Sequence, residues 1–282
     1  MNVKKTSLFI LVLVILLASL TGCQWIESNQ EVNIVSTVPS VTEILFALGC
    51  GDDIVGVDAF SNYPAEAMEI DQVGDYSGFD IEKVISLEPT VVFAGNKLQQ
   101  EEIDTLNEFG INVIETEPTS FDDITASILE IGTAVGKDAE AEKLTDSINA
   151  AIEDVQRQTA ISSNKPTVYY VMGIGEYGNW TSGEGSFINQ AMEIAGGMCV
   201  TNGPDMAPWM NYPLEDLILA DPDILIVSQF VMEADLLADA TYAELTAVKE
   251  GNYYFINPDI IERPGPRIVE ALKLMQVFII GE

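Results

Sequence analysis

Blocks of apolar residues along this chain switch between a strand-like and a helix-like period, and that alternation is the clearest guide to its fold. Asn33-Ile34-Val35-Ser36-Thr37 reads as a buried strand. Pro39-Ser40-Val41-Thr42-Glu43 then opens a helix that runs to Gly49, with Ser40 and Glu43 at the spacing of a capping box. Apolar runs at Ile54 to Val57, Thr90 to Ala94 and Asn112 to Glu115 alternate with helical stretches at Ile81 to Leu87 and Gln99 to Phe109. Strands and helices in turn imply an α/β fold with a mostly parallel sheet. The pattern then changes. Phe121 to Val135 is an amphipathic helix, and no proline or glycine interrupts a second one from Asp138 to about Thr159. Its 22 positions give a helix of roughly 33 Å at 1.5 Å per residue, long enough to cross between two lobes. Ser162-Ser163-Asn164-Lys165-Pro166 ends it, and a strand from Thr167 to Met172 starts a second α/β series.

The second series repeats a fragment of the first. Asp80-Ile81-Glu82-Lys83-Val84-Ile85-Ser86-Leu87-Glu88-Pro89 and Pro213-Leu214-Glu215-Asp216-Leu217-Ile218-Leu219-Ala220-Asp221-Pro222 each form a short helix with a glutamate in its first turn, then an acidic-Pro break before an apolar strand. Either the two lobes share an architecture with one corresponding glutamate each, or any helix-to-strand joint accepts the pattern and the glutamates only complement helix dipoles. The expected layout is a signal peptide at 1–22, a tether at 23–31, an N-terminal lobe at 32–136, a connecting helix at 137–161 and a C-terminal lobe at 162–282.

The signal peptide rests on Lys4 and Lys5, an apolar run from Leu8 to Leu20, and the sequence Leu20-Thr21-Gly22-Cys23, where small residues precede a cysteine. A plain anchor helix fits less well, because the run is shorter than the roughly 20 residues a bilayer requires and no charge cluster follows it. Cys23 is therefore expected to carry the lipid, with the mature protein exported and tethered to a membrane surface. Charge narrows the partners. Lys and Arg number 12 against 45 Asp and Glu, a net of -33; without Lys4 and Lys5 the count is 10 against 45, or -35. Such a surface repels nucleic acid and anionic lipid head groups. Histidine is absent, which removes the usual general base and the commonest zinc ligand. After Cys23 only Cys50 and Cys199 remain, and sequence leaves open whether they pair or stay as buried thiols.

Gly173-Ile174-Gly175-Glu176-Tyr177-Gly178 is a literal G-x-G-x-x-G after a strand, but Asn179 to Gly185 continues as loop and Glu176 would repel a pyrophosphate. A loop that carries Tyr177 and Trp180 to a cleft is the better reading. Phe60, Tyr63, Tyr76, Phe79, Trp180, Trp209 and Tyr212 gather in loops that follow strands or precede helices. Loops at the carboxyl ends of parallel strands hold ligands, and aromatics there suit a large, flat, partly apolar molecule. In Asp259-Ile260-Ile261-Glu262-Arg263-Pro264-Gly265-Pro266-Arg267, a rigid turn offers a guanidinium fork, with Asp259 or Glu262 available to neutralise Arg263. An exported hydrolase would need a histidine or a G-x-S-x-G elbow, and neither occurs. An adhesive lipoprotein would use the aromatics to hold a protein.

Taken together, Pro39-Ser40-Val41-Thr42-Glu43, Val55-Gly56-Val57 with Tyr63-Pro64, Asp80 to Pro89, Thr181-Ser182-Gly183 with Ala195-Gly196-Gly197, and Arg263-Pro264-Gly265-Pro266-Arg267 resemble the substrate-binding lipoproteins of ABC importers for cobalamin, iron-siderophores and haem. The likeness runs from Ile34 to about Phe278. It implies two Rossmann-like lobes with mostly parallel sheets joined by a single long helix, and a binding protein with neither catalytic residues nor a cofactor or metal of its own. The chain is most similar to the cobalamin-binding branch, which implies ligand contacts at Phe60, Tyr76, Trp180, Trp209, Asp259 and Arg263; a family aromatic expected after Phe93 is Ala94 here. It also implies that Glu82 and Glu215 dock on an ABC permease with its ATPase. The expected cargo is a small metal chelate, a cobalt corrinoid or an iron complex, and the expected protein is a monomer bound to the membrane only through lipid on Cys23. Charge favours a near-neutral corrinoid over an anionic siderophore, since Arg263 and Arg267 are almost the only cations available. Neutral or cationic siderophores remain alternatives, and haem would need Tyr76 or Tyr177 as its axial ligand.

Overall fold

A computed structural model describes residues 32–75, 77–95 and 99–281. The signal peptide, the tether with Cys23, and Tyr76 lie outside the described residues. The first sheet has the strand order β4-β3-β2-β1-β5-β6. It is built from β1 (Ile34–Ser36), β2 (Ile54–Asp58), β3 (Gln72–Asp75), β4 (Gly78–Phe79), β5 (Val91–Ala94) and β6 (Val113–Glu115). All its pairings are parallel except β3 with β4. The central strands β1 and β5 are buried along their whole length, which is why they read as continuous apolar runs rather than alternating ones. Helices α1 (Pro39–Ala47), α2 (Ile81–Ser86) and α3 (Gln100–Glu108) connect these strands.

Two long helices follow, α4 (Phe121–Ala134) and α5 (Asp138–Thr159). Beyond them lie β7 (Thr167–Val171), β8 (Trp180–Ser182), α6 (Phe187–Ile194), β9 (Met198–Cys199), β10 (Trp209–Asn211), α7 (Leu214–Ala220), β11 (Ile224–Ser228), α8 (Glu233–Ala238), α9 (Thr246–Glu250), β12 (Tyr253–Ile256), α10 (Pro258–Ile261) and α11 (Ile268–Ile280). The second sheet is wholly parallel, in the order β12-β11-β7-β9, and β8 with β10 forms a separate antiparallel ribbon. Helix α5 packs on α4 from one side of the chain and on α6 and α11 from the other. A single apolar cluster runs through all of them. It passes from Ile44 and Leu45 of α1, through Ile128 of α4 and Ile148 of α5, to Ile226 of β11 and Leu272 of α11. The two sheets therefore share a core across α5.

Two details depart from the sequence reading. Helix α1 has Val38 at its N-cap and Pro39 at N1, and no side chain caps it. Ser40 and Glu43 form no capping box there; both are buried. Proline at N1 has no N–H to satisfy and arrives with helical φ, so the cap is dispensable, and Glu43 is drawn instead to arginines of the last segment. A capping box does occur at α4, between Ser120 and Asp123. The second departure is the pair of short ribbons, β3 with β4 and β8 with β10, whose strands of two to four residues are too brief to show a period.

The internal repeat has a structural counterpart. Helices α2 and α7 both run into a residue in the left-handed region, Glu88 at φ 48 and Asp221 at φ 37, and these are the two such non-glycine residues among those described. Each precedes a proline that breaks the chain away from the helix.

Candidate functional site

Phe60 lies just past β2, and Trp180 and Trp209 sit on the β8–β10 ribbon; they are 50%, 41% and 38% exposed. On that ribbon Trp209 opposes Ser182, and Asn211 opposes Trp180. Directly opposed residues point to one face, so both tryptophans share a face. Trp209 is steadied by an edge-to-face contact with buried Phe187, centroids 5.6 Å apart. The glycine-rich loop serves Trp180. Trp180 N–H donates to the Gly173 carbonyl at 3.2 Å, and Met172 N–H donates to the Trp180 carbonyl at 3.0 Å. Gly178 has φ 90, and a Cβ on it would fall 2.1 Å from Asn211 Nδ2 and 3.3 Å from Trp180 Nε1. Residues Gly175–Tyr177 make one 3-10 turn and lead into strand β8, not into a helix and not into the longer loop expected from sequence. The glycines thus allow backbone to press against the ribbon.

The second cluster joins the start of the chain to its end. Arg263 Nη2 donates to Asp259 Oδ1 at 2.6 Å and to the Phe60 carbonyl at 3.1 Å. Its Nη1 donates to Asn62 Oδ1 at 2.8 Å and to Glu43 Oε1 at 3.1 Å. Arg267 grips the same Glu43 with two bonds, Nε to Oε2 at 2.8 Å and Nη2 to Oε1 at 2.5 Å, and lies 4.0 Å over the Tyr63 ring. Asn62 Nδ2 completes the network on Asp259 Oδ2 at 2.9 Å. Of the two acids considered as partners for Arg263, Asp259 takes that role and Glu262 does not. Glu262 accepts instead from the Tyr170 hydroxyl at 2.5 Å and Ser228 Oγ at 3.1 Å, and burial pushes its carboxyl above the usual carboxylate range. Both terminal arginines are thus bound by the protein's own acceptors.

Behind Phe60 a chain of hydroxyls fixes the loop. Thr42 Oγ1 donates to Ser36 Oγ at 2.9 Å and shares a 2.8 Å bond with Ser61 Oγ, which donates to Asp58 Oδ1 at 2.8 Å. Asp58 Oδ2 is buried and without a hydrogen-bond partner among the described residues, and burial raises the pKa of that carboxyl. The predicted ligand residues therefore fall into two groups: Phe60, Asp259 and Arg263 around the arginine network, and Trp180 with Trp209 on the ribbon. The predicted docking residues stand apart from both. Glu82 and Glu215 each occupy the second position of their helix, α2 and α7, and both are exposed. Neither carboxylate forms an ion pair or hydrogen bond among the described residues. Glu43, Asn62 and Arg267 were not singled out as site residues in the sequence. A signal existed for Glu43, the single charge in the otherwise apolar or hydroxylic helix Pro39–Ala47.

Residues 34–260 match the periplasmic binding protein family. The chain belongs to that family. As a periplasmic binding protein it is of a kind that binds solutes and not of an enzyme family. It is 30% identical over 258 residues to YvrC of Bacillus subtilis, an uncharacterized ABC transporter substrate-binding lipoprotein, covering 87% of this chain and 81% of that one. It is 31% identical over 265 residues to a cobalamin-binding protein of Halobacterium salinarum, covering 89% and 69%. Among solved structures, the periplasmic heme-binding protein RhuT of Roseiflexus superposes with a TM-score of 0.80 at 24% identity, over 88% of this chain and 97% of that one; at that identity the likeness speaks for the fold. Of this binding protein's described helices, none is long and apolar enough to cross a membrane.

Proposed function

We propose that this protein captures a cobalt corrinoid outside the cytoplasm and delivers it to an ABC permease. The coarse role, a substrate-binding protein of an ABC importer, follows from the family and its lipoprotein relative. The choice of cargo rests chiefly on one observation: Arg263 and Arg267 are held by Glu43, Asp259, Asn62 and the Phe60 carbonyl, and the two carboxylates balance the two guanidinium charges, so little positive charge is left over for an anionic cargo. Phe60, Trp180 and Trp209 present exposed aromatic surface, which suits a flat chelate near neutrality. The cobalamin-binding relative supports the same reading. In this account Tyr76 also contacts the cargo, Asp259 and Arg263 border it, and Glu82 and Glu215 meet basic residues of the permease, with its ATPase behind it. Lipid on Cys23 holds a monomeric receptor at the membrane.

A ferric siderophore is the second reading, since a neutral or cationic iron complex meets the same charge condition; haem, with two carboxylates, meets it less well. Titration with cyanocobalamin, a ferric siderophore and haem, followed by tryptophan fluorescence, separates these. Cyanocobalamin should quench, and Trp209→Ala should weaken its binding by about 1–3 kcal/mol, the scale of a buried aromatic contact. A response to the siderophore or to haem alone would replace the corrinoid as cargo.

A further inference from the structure

A cavity of about 620 Å³ opens at the carboxyl ends of β7 and β11, on the C-terminal sheet. Its position is the one where open parallel sheets take up ligands. One wall is the segment Met172 to Glu176, and the other carries Phe230, Met232 and Asp235. Phe230 and Met232 are exposed, although a large apolar side chain on a loop gains nothing from water. The charged residues that line it are all acidic, Glu176, Asp235 and Asp239, and no lysine or arginine lines it. Asp239 is committed, its Oδ1 accepting from the Thr241 and Tyr242 N–H groups at 2.8 and 3.1 Å. The Glu176 and Asp235 carboxylates hold no hydrogen bond or ion pair among the described residues.

One wall of the cavity is bonded to the tryptophan ribbon. Met172 and Gly173 both donate N–H to the Trp180 carbonyl, at 3.0 and 3.3 Å. The loop that forms this wall and the strand bearing Trp180 are therefore hydrogen-bonded neighbours. Gly173, which lines the cavity, lies beside the Trp180 side chain: a Cβ on it would fall 3.9 Å from Trp180 Cβ and 4.0 Å from Cδ1. We infer that the cavity is a second compartment of the cargo site, which receives amide-bearing arms of the cargo. The aliphatic stem of such an arm would lie on Met172, Phe230 and Met232. Its terminal NH2 would donate to the Glu176 or Asp235 carboxylate, a charge-assisted bond that a carboxylate-ended arm cannot make and would meet as repulsion. A corrin ring is edged with carboxamide arms, whereas a porphyrin carries carboxylates. The two acids thus act as a filter on the chemistry of the cargo's rim. This reading rests on the proposal that the cargo is a corrinoid.

The test compares cyanocobalamin with its derivative in which propionamide arms are hydrolysed to carboxylates, each titrated by calorimetry into wild type and into Glu176→Gln/Asp235→Asn. Wild type should prefer the amide form by at least about tenfold in Kd. In the variant the preference should fall to about threefold or less, mainly through tighter binding of the carboxylate form. Both residues are exposed, so the variant should melt like wild type. An unchanged preference, with cyanocobalamin still bound, overturns the filter and leaves the corrinoid proposal standing. Wild type that does not bind cyanocobalamin at all defeats both.

Discussion

Replacing Glu43 by alanine should unfasten the two ends of the chain. The side chain is 2% exposed and takes three charge-assisted hydrogen bonds, two from Arg267 and one from Arg263, whose own side chains are 12% and 13% exposed. Removing the carboxylate leaves two guanidinium groups out of water with less to bind. Breaking a buried ion pair from one side costs about 3–5 kcal/mol. Arg263 keeps Asp259 and Asn62, so the lower end applies, about 3 kcal/mol. For a chain of this size that lowers Tm by roughly 6–12 °C. Urea unfolding followed by circular dichroism should show the midpoint fall with the slope unchanged, since native burial elsewhere is the same. The double variant Glu43→Ala/Arg267→Ala should lose less than the sum of the two single changes, because the second removes a cation the first had stranded. A loss below about 1 kcal/mol for Glu43→Ala, or strict additivity, would refute the view that this network clamps the first helix to the last.

Three further changes probe other parts of the account. Gly178→Ala should cost about 1–3 kcal/mol, from a left-handed backbone and a Cβ driven into Asn211, and should weaken cyanocobalamin binding because Trp180 moves; an unchanged melt and affinity would contradict the packing. The raised pKa of Glu262 means that the folded state holds its proton more tightly than the unfolded chain does, so its contribution is intact in acid and is lost as pH rises through the folded value. Glu262→Gln can keep the bonds from Tyr170 and Ser228, so it should match wild type near pH 4 and exceed it in stability near pH 7; equal melting at both would remove the burial argument. Mutating Glu82 and Glu215 together to alanine should leave cyanocobalamin affinity unchanged and abolish uptake by cells, whereas normal uptake would reject them as the docking pair.

Most of the fold was legible because the strands at the centre of each sheet are short apolar runs and the helices between them keep a clear period. Helix α5 was readable to within a residue or two at each end, since nothing from Asp138 to Thr159 breaks it. The two ribbons were not readable. β8 and β10 are three residues each and meet across a whole helix, α6, so their pairing is a long-range contact with no local mark. The candidate site was half legible. Exposed aromatics after strands could be named from their positions, but the fate of the arginines could not. The sequence offered Arg263 only its neighbours Asp259 and Glu262; its further partners, Glu43 and Asn62, lie about two hundred residues away. The same limit holds for Cys50 and Cys199, whose pairing sequence left open and which are buried free thiols. The repeat fared better, because Glu88 and Asp221 need an unusual backbone and the following prolines advertise it.

The most direct test of the central claim is a crystal structure of the full mature protein grown with cyanocobalamin. The account predicts corrin density against Trp180, Trp209 and Phe60, with the Glu43–Arg267 pair still closed and amide arms reaching toward Glu176 and Asp235. Corrinoid found away from these rings, or Arg263 and Arg267 released from Glu43 to bind it, would contradict the account.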